Sequence, residues 1–127
     1  MTDRGSIAVT LVAVIAAALV LGVGIADVAI WMRARTEASA AADAAALAAA
    51  PVTFQAFGAR GTAAEEATRF AEMNGARMVW CVCPPDPSWE PRTVEVEVAV
   101  DVEVWPLGRF SVTARSKAEF VPAMLLG

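Results

Sequence analysis

From Ile7 to Ala26 the chain reads IAVTLVAVIAAALVLGVGIA, twenty residues without a charge. At about 1.5 Å per residue, a helix of that length spans the roughly 30 Å hydrocarbon core of a bilayer. No other stretch of the sequence constrains the fold so strongly. Thr10 does not spoil the run, because its hydroxyl can bond back to a helix carbonyl, and Gly22 and Gly24 are tolerated in a membrane helix. Trp31 lies just past the run, where an indole prefers the interface, and Arg33 and Arg35 come next at headgroup level. A cleaved secretory signal would carry a shorter apolar part with a small-x-small site directly after it. Asp27, Val28, Ala29, Ile30 and Trp31 fit that poorly. A buried helix of a soluble protein fits less well still.

The helix need not stop at the membrane. Between Met32 and Ala50 no Gly or Pro intervenes, and alanine, the best helix former, dominates. Arg33 and Glu37 add an i,i+4 pair. Pro51 is expected to end the run, because the residue before a proline is pushed out of the helical region. The expectation is one helix of about 45 residues, roughly 65–70 Å long, half in lipid and half projecting as a stalk. The stretch AAADAAALAAA at residues 40–50 reads as too small-sided to build a core and too apolar for a solvated linker. Small side chains let helix backbones approach closely, so this stalk is expected to lie against other helices, its own copies or partners. The bland alternative, alanine enrichment from a GC-rich genome, stays open.

The chain beyond Pro51 is short for an independent core and would be marginal alone. The net charge of −4 and the absence of a basic, aromatic-interleaved stripe exclude a nucleic-acid partner. The sequence has no histidine, which removes the commonest general base and metal ligand. Thr53 to Gly61 reads as a loop. Thr62 and Glu65 have the spacing of a capping box, and Asn74-Gly75 is a helix stop. Phe70 and Met73 are the expected anchors of that helix. Ala76 to Cys83 reads as a strand, succeeded by a proline-rich loop to Arg92.

Then comes TVEVEVAVDVEV, with valine at every second position from Val94 to Val104 and Glu95, Glu97, Ala99, Asp101 and Glu103 between. Strict alternation gives one apolar and one acidic face. The last strand alternates likewise, with Phe110, Val112, Ala114, Ala118 and Phe120 inward. Keeping both apolar sets on one face requires paired residue numbers with an even sum. A sum of 212 leaves Trp105-Pro106-Leu107 as the loop and sets Glu103, Glu97 and Glu95 opposite Arg109, Arg115 and Lys117. A sum of 214 sets Glu95 against Glu119, so the former register is expected.

Carboxylates at alternate positions lie about 6.6–6.8 Å apart, too far for one calcium ion to bridge unaided. No acidic pair gathers around a cleft. No catalytic residue, metal ligand, cofactor or small-molecule substrate is therefore assigned, and an enzyme is not expected. Cys81 and Cys83 share a strand face at a separation near the upper limit for a disulfide. A disulfide within the pair or to a partner, and two half-buried thiols, both stay open; a metal site would want two further ligands. The expected fold is α+β: a long N-terminal membrane-spanning helix with an Ala-rich stalk, then a short helix on a three- to four-stranded antiparallel sheet.

Residues 3–50 resemble the N-terminal segment of TadE-like and TadG-like proteins of Flp (tight-adherence) pilus assembly. The resemblance rests on Arg4-Gly5-Ser6 and the long apolar helix. Asp27, Arg33 and Arg35 come after it, and then the ADAAALA run at Ala42 to Ala48. Beyond that run the chain looks like the small actinobacterial TadE-like proteins encoded near secretion genes. The resemblance implies a non-enzymatic, pseudopilin-like, pilin-shaped component of a Flp pilus or a related type II/IV-like secretion system. Asp27, Asp43, Ala44, Ala45 and Leu47 would be its helix-packing signature. Its partners would be membrane lipid and other pilus subunits, or its own copies, through the N-terminal helix.

Gly5-Ser6 is a possible prepilin-type processing site, but the fifth residue from Ser6 is Thr10, not the glutamate of such sites, so an uncleaved anchor is expected. The expected organisation is a cytoplasmic N-terminus (1–6), a membrane helix (7–32), a stalk (33–50) and an extracytoplasmic head (51–127). Arg4 before the helix against Arg33 and Arg35 after it favours the opposite orientation by one charge; the resemblance is preferred as the guide. The rival readings are a signal-anchored envelope binding module unrelated to pili and a cytoplasm-facing regulator.

Overall fold

Alanine, rather than leucine or phenylalanine, lines the centre of the head. A computed structural model describes residues 2–55 and 60–127. Its elements are a helix α1 (Thr2–Val52), a helix α2 (Ala63–Met73) and strands β1 (Arg77–Val82), β2 (Arg92–Val104) and β3 (Gly108–Phe120), with a 3-10 turn at Pro122–Leu126. The strands form one antiparallel sheet in the order β1-β2-β3. The fold is α+β as expected, with three strands and no fourth among the described residues.

α1 has two unlike halves. From Asp3 to Trp31 its side chains are exposed apart from a half-buried Asp27. From Ala34 onward one stripe disappears from solvent: Ala34, Ala38, Ala41, Ala42, Ala45, Ala46, Ala49 and Ala50. This i, i+4, i+7, i+8 spacing is one face of a helix. It is covered by Ala63, Ala67 and Ala71 of α2 and by the valine face of β2, where Val94, Val96 and Val98 are fully buried. The expectation of a free stalk too small-sided for a core is therefore corrected: the alanine rod is half of the core. Methyl-sized side chains let α2 and the sheet approach the α1 backbone closely, and β2 supplies the branched bulk. Each buried valine contributes on the order of 1.5–3 kcal/mol.

α1 runs through Pro51 to Val52 instead of ending at Ala50. Pro51 sits in the last turn, and the end is closed by Thr53 Oγ1 donating to the Ala50 carbonyl at 2.6 Å and by Phe54 N donating to Pro51 O at 3.1 Å. Of the expected loop at 53–61, residues 56–59 lie outside the described residues. α2 begins in the expected box: Glu65 N donates to Thr62 Oγ1 (3.1 Å), and Thr62 N donates to the Glu65 carboxylate (2.8 Å). It ends at Asn74, with Gly75 at a φ of 78° that only glycine adopts without strain. Its anchors are not Phe70 and Met73. Met73 is exposed and Phe70 only partly covered, because close alanine-on-alanine packing places the contact on the other flank.

The β2–β3 register pairs Glu95 with Lys117, Glu97 with Arg115 and Glu103 with Arg109, leaving Trp105-Pro106-Leu107 as the turn. Charge matching identified it correctly. β1 is shorter than expected and carries a bulge at Val79, since Met78 pairs with Val98 but Trp80 with Glu97. The extra residue brings Met78 and Cys81 to the core side and turns Trp80 outward.

Candidate functional site

β3 lies along α1 and runs in the same direction. Trp31, Arg35 and Ser39 share a groove with Ser111 to Arg115. Further on, Ser116 Oγ donates to Asp43 Oδ1 at 2.6 Å, and the rings of Phe54 and Phe120 meet at 6.3 Å. The head is thus laid along α1 from Trp31 to beyond its C-terminal end, and the surfaces it leaves free are those available to lipid or partners.

The first free surface is the leading half of α1. One 18-residue stretch has a mean hydropathy of 2.7, and none of it is buried. Such a helix fits a single-pass membrane anchor. Gly5 and Ser6 are exposed within it, and Thr10 Oγ1 donates to the Ser6 carbonyl at 2.9 Å. The Thr10 hydroxyl is therefore satisfied by its own helix.

Asp27, Asp43, Ala44, Ala45 and Leu47, singled out in the sequence, do not form one cluster. Ala45 is fully buried under the head, Ala44 is half-buried, and Asp43 clasps β3. Leu47 is 67% exposed on the opposite flank. Asp27, one helical turn before Trp31, borders the hairpin tip.

The acidic face of β2 is spent on neighbours. Arg115 Nε meets Glu97 Oε2 at 3.2 Å, Lys117 Nζ meets Glu95 Oε2 at 3.4 Å, and Trp80 Nε1 also donates to Glu97. Arg77 Nε donates to Asp101 Oδ2 at 3.3 Å and its Nη2 to Ser111 Oγ at 3.1 Å. The Arg77 bond, with help from Ser111, holds the Asp101 carboxyl below the usual carboxylate range. Asp86 is lowered too, chiefly by hydrogen bonds from Ser88. Cys81 and Cys83 are joined as a disulfide with their Cα atoms 5.5 Å apart, since the chain leaves the strand at Cys83.

Two features escaped the sequence reading. Arg92 is buried, donates to the carbonyls of Asp86, Ser88 and Glu90, and stacks over Phe54 at 5.3 Å, pinning the proline-rich loop to the end of α1. The other is the hairpin tip. Leu107 and Phe110 border an open groove whose other wall is Asp27, Val28 and Trp31 of α1. Phe110 was expected to face inward; it lies on the Val112 side of β3, but at the tip it stays 48% exposed. The signal was present in Trp105-Pro106-Leu107, an apolar turn where polar residues are usual.

A long apolar helix, bare through its first half and closed under a short helix and a small antiparallel sheet through its second, makes this an α+β fold with one exposed apolar span. Residues 5–56 match the family model described as Flp pilus-assembly TadE/G-like. The matched stretch is α1 and the first residues after it, and it stops before α2. No curated protein and no solved structure matches the chain.

Proposed function

We propose that this protein is a membrane-anchored, pseudopilin-like and non-enzymatic component of Flp pilus assembly or of a related type II/IV-like secretion system. The observation that carries the reading is a coincidence of boundaries. The segment matching the pilus-assembly family is the same helix that is bare and apolar in its first half and roofed by the head in its second. Residues 7–32 lie in the bilayer, the N-terminus inside and the head outside. The chain is retained uncleaved, as Thr10 in place of glutamate supports. Contacts to other subunits or to further copies run along the free flank of α1, where Leu47 points outward.

The test is made in intact cells that express the pilus genes. A photo-crosslinking residue replaces Leu47, and a cysteine replaces the exposed Ser111 in a Cys81→Ser/Cys83→Ser background. The expected result is crosslinks to pilus subunits and labelling of the new thiol by an impermeant maleimide before lysis. Labelling only after lysis overturns the orientation. Labelling before lysis with no crosslink to any pilus subunit, from Leu47 or from neighbouring positions on that flank, favours the envelope binding module instead.

A further inference from the structure

The tip of the β2–β3 hairpin is a strongly exposed apolar part of the head. Trp105 is 72%, Leu107 70% and Phe110 48% exposed, and Trp31 of α1 beside them is 45% exposed. A turn is where a water-soluble sheet places polar residues, so this tip is shaped for something other than water.

Its position says what. Counting from Ile7, a rise of about 1.5 Å per residue reaches roughly 30 Å at Asp27 and about 36 Å at Trp31. The hydrocarbon core therefore ends near Asp27, and Trp31 lies in the headgroup layer. Leu107 and Phe110 border an open groove whose other wall is that same turn of α1, with Asp27, Val28 and Trp31. The exposed apolar surface of the helix continues onto the tip. Aromatic side chains at this depth, tryptophan above all, are interfacial anchors. Arg109, exposed at the base of the turn, is placed to meet lipid phosphate.

We propose that the Trp105-Pro106-Leu107 tip, with Phe110, inserts into the headgroup layer of the bilayer as a second membrane contact. This rests on α1 being the membrane anchor. The head is then held at two points, which fixes its rotation about the helix axis and presents a constant flank of α1 to neighbouring subunits.

The full chain is reconstituted in bilayers with lipids brominated either near the carbonyl end or near the methyl end of the acyl chain. One variant keeps only Trp105 (W31F/W80F/W89F). A second also carries Trp105→Phe and Leu19→Trp, which reports the mid-span. Circular dichroism checks that both retain the native spectrum. The native chain is separately photolabelled with a diazirine phospholipid, and the adducts are mapped by mass spectrometry. The expected result is loss of Trp105 emission with the shallow quencher more than the deep one. Leu19→Trp should show the reverse order, and lipid adducts should fall at residues 104–110. Quenching of Leu19→Trp without quenching at Trp105 or adducts at the tip overturns the proposal while the anchor stands; the tip then faces water or another subunit. No quenching at Leu19→Trp overturns the anchor and this proposal with it.

Discussion

Ala45→Leu tests the central packing claim, because the two residues differ little as helix formers and greatly in size. Leucine costs only a few tenths of a kcal/mol in helix propensity, so a larger loss must come from the space around position 45. Ala45 has 0% exposure, as do its stripe neighbours Ala41, Ala42, Ala46 and Ala49, and the roof above is made of α2 and β2. Extra methylenes forced into so closed a site cost about 1–3 kcal/mol, roughly a 5- to 150-fold shift in the folding equilibrium. Leu47→Ala, two residues along on a flank 67% exposed, should stay within about 0.5 kcal/mol. The assay is denaturant unfolding of the reconstituted chain in a W31F/W89F/W105F background, monitored by the emission of Trp80, whose indole donates to Glu97 on the sheet. An Ala45→Leu midpoint equal to that of the parent would refute the buried stripe. A change in self-association with no change in unfolding would show that the alanines face other chains, as a free stalk would.

The remaining predictions concern the head. Val98→Glu places a carboxylate where exposure is 0% and should cost about 3–5 kcal/mol, read by the same unfolding curve; an unchanged midpoint would sink the inward assignment of β2. Thr62→Ala removes the acceptor for Glu65 N and should cost about 1 kcal/mol, with amide exchange faster in the first turn of α2 and unchanged in the sheet. Asp101 has a folded pKa below its ordinary value, chiefly through the Arg77 bond. Its stabilising effect is therefore present above the ordinary carboxylate range and is lost as pH falls through the lowered folded value. Asp101→Asn should flatten that part of the acid-unfolding profile, and a variant as acid-sensitive as the parent would contradict the pairing. A double-mutant cycle on Asp43 and Ser116 should return a coupling of about 0.5–1.5 kcal/mol, whereas additivity would mean that their 2.6 Å bond does not fix β3 on the helix.

The features legible in the sequence were those that one element dictates by itself. The charge-free run gave the exposed half of α1, Thr62 and Glu65 the start of α2, and alternation in Val94 to Val104 the buried face of β2. The register was legible because, of the two pairings weighed, only one matches Glu95, Glu97 and Glu103 with Lys117, Arg115 and Arg109 and spares Glu95 from Glu119. The features that stayed hidden depend on how elements meet. Nothing local says that Ala41 to Ala50 will be roofed, since an alanine face suits another chain as well as this chain's own sheet. The Val79 bulge brings both Met78 and Cys81 to the core, a constraint set by the elements packed on β1, α2 among them, rather than by β1 itself. Expecting Met73 as an anchor assigned packing to the larger side chain, whereas close approach here favours Ala67 and Ala71. The tip residues Trp105, Leu107 and Phe110 acquire meaning only from β3 beginning beside Trp31.

The ADAAALA run makes sense when its residues are sorted by helix face rather than read as a string. Ala42, Ala45 and Ala46 lie under the roof, Asp43 stands on the flank and bonds Ser116, and Leu47 points away from the head. The alanines set how closely the sheet approaches the helix axis, and the aspartate sets where along the helix the strand sits. Both matter because one helix serves as a bare apolar span and as half of the core. Larger residues at Ala42 or Ala45 would lift the sheet, and a slip past Asp43 would move the hairpin tip off the turn at Asp27 to Trp31. The groove that Phe110 lines with Trp31 and the Phe120 ring 6.3 Å from Phe54 mark the two ends of that alignment. Among the described residues the sheet is fastened to the helix directly, by the alanine face and by the Ser116–Asp43 bond.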